Sequence, residues 1–149
     1  MGAAAPKPLQ NHTKEVSIIA IFHCPIKIIQ RSMGKSAVAA TAYRSGEKLV
    51  NEWDGMTHDY TRKGGIVHTE IMLPTHAPPE FSDRSTLWNS VEEIEKSATA
   101  QLAREIEVAL PVELSRAGQL ALVRAFVKDT FVDAGSGTQS ACRCRSRRI

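Results

Sequence analysis

The sequence is short of several things at once. Only three cysteines, Cys24, Cys142 and Cys144, occur among 149 residues. The number is odd, and no pair has the two-residue gap that zinc and redox motifs favour. This argues against a disulfide framework and for a reducing compartment. The longest apolar run, Val16 to Phe22, is too short to cross a bilayer. Lys14 and Glu15 precede it without a signal-peptide layout, so a cytoplasmic protein with no membrane segment is expected. Met1-Gly2 opens like a myristoylation site, but Pro6 stands where Ser or Thr is needed. Asn11-His12-Thr13 is then a glycosylation sequon in form only. Charge of one sign is scarce as well. The formal net charge is +3, and the rest of the chain is close to neutral once Arg143, Arg145, Arg147 and Arg148 are set aside. Global charge therefore makes no case for a nucleic-acid partner. No histidine follows His76.

What is present suits one mixed domain: 42% of the residues are hydrophobic, enough for a core. Residues 1–15, rich in Ala, Pro and polar side chains, read as a disordered N-terminal extension. Ser17 to Ile29 alternates as a strand, with Ile19, Ile21 and His23 on one face and Pro25 marking a break or edge. Arg31 to Lys35 is a turn. Ser36 is placed to cap an alanine-rich helix that runs to about Arg44 and stops at Gly46. Asn51 to Gly65 is polar and loop-like, with turn signals at Asp54-Gly55 and Gly64-Gly65. Ile66 to Leu73 is a second strand. Three prolines make Pro74 to Asp83 a loop.

Leu87, Trp88, Val91, Ile94, Ala98 and Leu102 recur at helical spacing and predict a helix from about Arg84 to Leu102. Arg104 to Leu110 alternates as a third strand. Ser115 can cap a last helix that turns Leu120, Val123, Phe126, Val127 and Thr130 inward, with Gly118 in its first turn at a cost of up to ~1 kcal/mol. Residues 16–135 thus form the domain proper. Residues 136–149, almost without apolar side chains, read as an aberrant basic tail.

Three groups of residues carry chemistry and follow one another on strand, turn and helix. They are Phe22-His23, then Arg31-Ser32-x-Gly34-x-Ser36-Ala37, then Ala42-Tyr43-Arg44. Two further segments accompany them: Thr57 to Gly65 followed by Glu70 to Pro74, and Glu105 to Leu114. Together, from about Ile19 to Gly135, they resemble the MobA/MobL family of plasmid-mobilisation relaxases. That resemblance implies an α+β fold, an antiparallel sheet flanked by helices, as in the His-hydrophobe-His endonuclease superfamily. It implies nicking of one DNA strand at a transfer origin by tyrosine transesterification. Tyr43, seven residues past Ser36, falls at the position of the attacking residue.

The residues are consistent with that role. A tyrosyl phosphodiester conserves bond energy, so a nick can be resealed. A phenol with pKa near ~10 is a poor nucleophile at neutral pH and needs nearby positive charge. A basic turn leading into a helix attracts a phosphate. Arg31, Lys35, Arg44, Lys48, Arg62 and Lys63 are candidate DNA contacts. Trp53 is a candidate for base stacking. Glu105 and Glu107 lie two apart and so share a strand face. In the family a glutamate of this segment orients a metal-ligating histidine, and either could be the matching one.

The resemblance also implies Mn²⁺ or Mg²⁺ as cofactor, held by a histidine cluster on a strand soon after the last helix. Here His58, His68 and His76 lack metal-ligand spacing, and the cluster's place is taken by residues 136–149. A truncated or frameshifted fold, incomplete, weak in metal binding and prone to expose apolar strand surface, is therefore expected. The implied partners are single-stranded or supercoiled plasmid DNA at the transfer origin, and relaxosome proteins. The alternatives are a non-catalytic origin-binding module and a non-functional remnant.

Overall fold

A computed structural model describes residues 24–143. The extension at residues 1–15, His23 and the start of the first strand lie outside the described residues. Strand β1 (Ile26–Gln30) pairs antiparallel with β5 (Gln101–Ile106). A hairpin joins β2 (Lys48–Val50) to β3 (Thr57–Asp59), and β4 (Ile66–Met72) pairs antiparallel with β6 (Thr138–Arg143). Helices α1 (Ala37–Ser45), α2 (Arg84–Ile94) and α3 (Arg116–Val127) accompany the strands, with short 3-10 turns at Arg31–Met33 and Pro79–Ser82 and a π-helical continuation of α3 over Lys128–Val132. The class is α+β with antiparallel pairing, as the resemblance implied. Among the described residues the backbone hydrogen bonds form three two-stranded sheets instead of one.

Helix α1 begins and ends where its sequence directs. The Ser36 side chain accepts from the Ala39 N–H, and Gly46 closes the helix at φ 71°. The positive φ favours glycine there, and a Cβ would also push the flexible end of Ile66, whose Cδ1 would lie 2.6 Å away. Ala37, Val38 and Ala42 are fully buried, because small side chains let α1 approach its neighbours closely. One side of the helix joins Ile29, Ala100 and Leu102, and the other joins Leu49. Trp88 of α2 packs against both clusters.

Three local expectations need correction. Helix α2 stops at Ile94, well before Leu102, and β5 starts at Gln101, three residues ahead of Arg104. The cause is distant in sequence. The Arg31 guanidinium donates to the carbonyls of Glu92 (2.7 Å), Ser97 (3.2 Å) and Glu95, taking up the acceptors that a longer helix would have used. Second, the stretch from Asn51 holds β3 as well as its Asp54-Gly55 turn; three-residue strands are too short to show a period. Third, Phe126 and Thr130 of the last helical stretch face solvent, while Val127 is buried.

The segment after Gly135 also departs from the expected tail. Thr138–Arg143 forms β6 in register with β4, Met72 opposite Thr138 and Glu70 opposite Ser140. Gln139 Oε1 accepts from Trp88 Nε1 at 2.8 Å and from Arg84 Nε at 3.1 Å, which ties the strand to α2. A strand needs backbone partners before it needs apolar side chains, so a polar sequence can fill an edge. Residues 144–149 lie outside the described residues. On β1, Ile26 is 63% and Ile28 40% exposed.

Glu92 ties several of these pieces together. Only 2% exposed, its carboxylate accepts from Ala37 N at 2.7 Å and from Arg31 NH2 at 3.0 Å. Glu92→Ala removes the counter-ion of the part-buried Arg31 guanidinium and the acceptor of a buried α1 amide together, and is expected to cost about 3–5 kcal/mol, measurable by urea unfolding. Gln139→Ala is expected to cost about 1–3 kcal/mol by leaving the Trp88 and Arg84 donors unpaired, and stopping the chain after Gly135 to cost more. A thermal melt unchanged by either would show that β6 contributes nothing.

Candidate functional site

Tyr43 lies in the last turn of α1, 40% exposed although flanked by the buried Ala42 and Ser45. Three neighbours define its setting. The Tyr60 ring meets it edge-on, with centroids 5.3 Å apart and planes at 87°. Lys63 Nζ sits 3.2 Å from the Tyr43 ring centroid and donates to the Tyr43 carbonyl oxygen. The Arg44 guanidinium is 5.6 Å from the same centroid. Tyr60 and Lys63 come from the turn after β3, which the Tyr60 N–H bonds back to Glu47 O at 3.1 Å. The spacing of Tyr43 from Ser36 thus delivers a half-exposed phenol ringed by two cations.

Arg44 is held from β5. Its Nε donates to Glu105 Oε2 at 3.1 Å, and its NH2 to Glu105 Oε1 makes the pair bidentate. Lys27, opposite Glu105 in the β1–β5 register, reaches Glu105 and Glu107 at 3.8 Å each, so the two carboxylates do share a face. They are not equivalent. Glu105 is 20% exposed and touches the residue beside Tyr43, whereas Glu107 is 58% exposed and lies past the end of β5. The cations in contact with Glu105 are Arg44 and Lys27.

The other candidate cations scatter. Arg31 is 15% exposed on its side chain and directed inward to Glu92 and the end of α2. Lys48 pairs with Asp59 at 3.9 Å. Lys35 and Arg62 are exposed. The site as built therefore gathers Tyr43, Arg44, Lys63 and Glu105, adds Tyr60, and leaves Arg31 to the core. Sequence reasoning did not find Glu92 or Asn51. Both are buried polar residues without a local motif, and only a three-dimensional neighbour explains them.

The chain matches the MobA/MobL family over residues 35–145, most of its length. It belongs to that family. The matched region includes Tyr43, Arg44, Lys63 and Glu105, and extends through β6. Among relatives, mobilization protein MobL of Acidithiobacillus ferridurans is 44% identical over 110 residues, covering 74% of this chain and 28% of that protein. Conjugal transfer protein TraA of Rhizobium radiobacter is 42% identical over 127 residues, 78% of this chain and 12% of that protein. The probable mobilization protein MobA of Bifidobacterium longum is 33% identical, over 76% of this chain and 20% of that protein. The chain thus spans under a third of each of these relatives. A solved structure titled "Molecular Basis of Vancomycin Resistance Transfer in Staphylococcus aureus" superposes with TM-score 0.71 and 26% identity, covering 85% of this chain and 72% of that one. No helix among the described residues is long and apolar enough to cross a membrane.

A divalent cation expected from MobA/MobL membership needs a convergent donor set, and the described residues do not fit one. No three His, Cys, Asp or Glu side chains among them come together. His68 Nε2 lies 3.1 Å from Glu70, whose carboxylate also accepts from Arg124 at 2.8 Å. That arginine first, and His68 second, hold the Glu70 carboxyl below its usual range, so the acid is already compensated. Titrating the purified chain with Mn²⁺ in a calorimeter is expected to show weak, non-stoichiometric heats. A one-to-one site of micromolar affinity or tighter would mean that other donors serve.

Proposed function

We propose that this chain carries the tyrosine face of a DNA strand-transfer site, acting on one strand of plasmid DNA at a transfer origin alongside relaxosome proteins. The observation that supports it is the setting of Tyr43: a half-exposed phenol on an anchored helix, with the Lys63 ammonium 3.2 Å from its ring centroid and Arg44 beside it. Two cations around one hydroxyl-bearing ring suit an approaching phosphodiester better than they suit a packing aromatic.

In the reaction that this arrangement suits, the Tyr43 phenolic oxygen bonds to the scissile phosphorus and loses its proton to solvent. The phosphorus–O3′ bond breaks, the 3′ oxygen takes up a proton, and the 5′ phosphate stays on tyrosine. Lys63 offsets charge near the ring. Glu105 fixes the guanidinium of Arg44, so that the phosphate meets a positioned donor and not a mobile one. Exposed Lys35 and Arg62 extend the positive contact along the strand.

A second reading has its own observation. The described residues gather no metal donor set, and charge on the scissile phosphate is then less well compensated. The chain would bind origin DNA and react slowly or not at all. One experiment separates the readings. The chain is incubated with a single-stranded origin oligonucleotide labelled at its 3′ end, and the products are run on a denaturing protein gel. The strand-transfer reading expects a covalent adduct that Tyr43→Phe abolishes, with binding affinity changed less than about twofold because only a hydroxyl is removed. An adduct that survives the substitution moves the role to Tyr60. Binding without any adduct supports the non-catalytic reading.

A further inference from the structure

Trp53 is held out of the core by an unusual amount of structure. Its indole is 49% exposed at the β2–β3 turn, although an aromatic of this size gains by burial. The turn beneath it cannot relax. Asn51, 1% exposed, accepts the Trp53 N–H at 3.0 Å and donates to the Ser36 hydroxyl at 3.1 Å. Asn89 of α2, 8% exposed, accepts the Glu52 N–H at 2.9 Å and donates to Val50 O at 3.0 Å. Arg31, itself gripped by Glu92, puts its guanidinium 4.2 Å from the Trp53 ring centroid. Two buried asparagines and a buried-pair arginine thus brace one exposed ring. Arg31 covers one face of it, and Met33 and Met56 near the same turns are also exposed.

We infer that Trp53 is a stacking platform for a single unpaired nucleobase, a subsite of the proposed DNA site at the opposite end of α1 from Tyr43. The inference rests on the DNA reading above. Four observations select this occupant. A planar, rigid, cation-braced indole presents the flat surface that any base can stack on. Its turn is tied through Asn51 to Ser36, the α1 cap, about 10 Å along the helix from Tyr43 at about 1.5 Å rise per residue, within reach of the same strand. Glu52 and Asp54 flank the ring and are exposed, which disfavours a phosphate here and leaves the base as the part of the strand that fits. Lys35, exposed one position ahead of the α1 cap, is available to the strand's backbone.

Stacking and phosphate pairing have different signatures, which makes the inference testable. The probe is a short mixed-sequence single-stranded oligodeoxynucleotide with a fluorescent end label, its affinity measured by anisotropy over a range of salt. Trp53→Ala is expected to weaken binding roughly 5- to 150-fold with no change in the slope of affinity against salt, because no phosphate contact is lost. Trp53→Phe is expected to recover most of the affinity, and quenching of tryptophan emission on binding is expected to shrink in Trp53→Phe, with Trp88 intact. Circular dichroism of both variants checks that the fold is retained. Unchanged affinity in Trp53→Ala, while the unaltered chain binds, would overturn the platform and leave the DNA reading standing; it would point to a protein partner for the ring. A flattened salt slope would overturn it in favour of a backbone contact. No binding by the unaltered chain would overturn both.

Discussion

A buried carboxylate sets the arrangement of everything around the candidate site. Glu92 sits within α2, yet its two oxygens serve other elements: one takes the first N–H of α1 and the other neutralises Arg31. The helix N-terminus and the guanidinium both carry positive potential, so one acid satisfies two groups that could not be buried together without it. The terminal nitrogens of Arg31 also donate to the carbonyls that end α2. The result is reciprocal capping: α2 supplies the anion that starts α1, and the turn before α1 supplies the cation that finishes α2. A buried pair of this kind adds little net stability over an apolar substitute, but losing one member is costly. What it contributes here is relative position. The start of α1, the end of α2 and the ring of Trp53 all refer to the same two side chains.

The far end of α1 is fixed by a different device. Arg44 is drawn to Glu105 on β5, and Lys27 on β1 faces the same carboxylate across the strand pair. These charges are partly solvated, so they are weaker than the Glu92 pair, and salt screens them. Their use is directional, since a bidentate guanidinium–carboxylate pair permits few orientations. Tyr43 is adjacent to Arg44 and packs edge-on against Tyr60, so its ring has a defined pose while the residue stays partly open to solvent.

How much of this could be read from the residues depended on how far the information had to travel. Ser36, Gly46 and Ser115 are capping residues whose meaning is local, and the ends of α1 and the start of α3 followed from them. The strand expected over Ile66 to Leu73 is β4, Ile66–Met72. Tyr43 was legible as a motif position but its surroundings were not, because Tyr60 and Lys63 arrive through a hairpin whose strands are three residues each. The end of α2 was misjudged because Ala98 and Leu102 kept helical spacing by coincidence, while the group that stops the helix lies more than sixty residues earlier, at Arg31. Composition misled at β6. Polar residues at 138–143 suggested an unpaired tail, yet β4 offered a free row of backbone groups and Gln139 offered α2 an acceptor. Glu105 and Glu107 looked alike on paper, and only the position of Arg44 tells them apart.

The left-handed residues at Gly34 and Gly46 have a consequence for how this region can vary. They bracket α1, and each reverses the chain at a point where the backbone is already committed, to Arg31 O on one side and to Ala42 O on the other. Within such brackets side chains can be exchanged, but residues cannot be added. A single insertion between Ser36 and Tyr43 would turn the phenol by about 100° and carry it from the cation pair into the packed flank of the helix. Divergence in this stretch should therefore proceed by replacement at constant length, with gains and losses of residues diverted to the turns outside the two glycines.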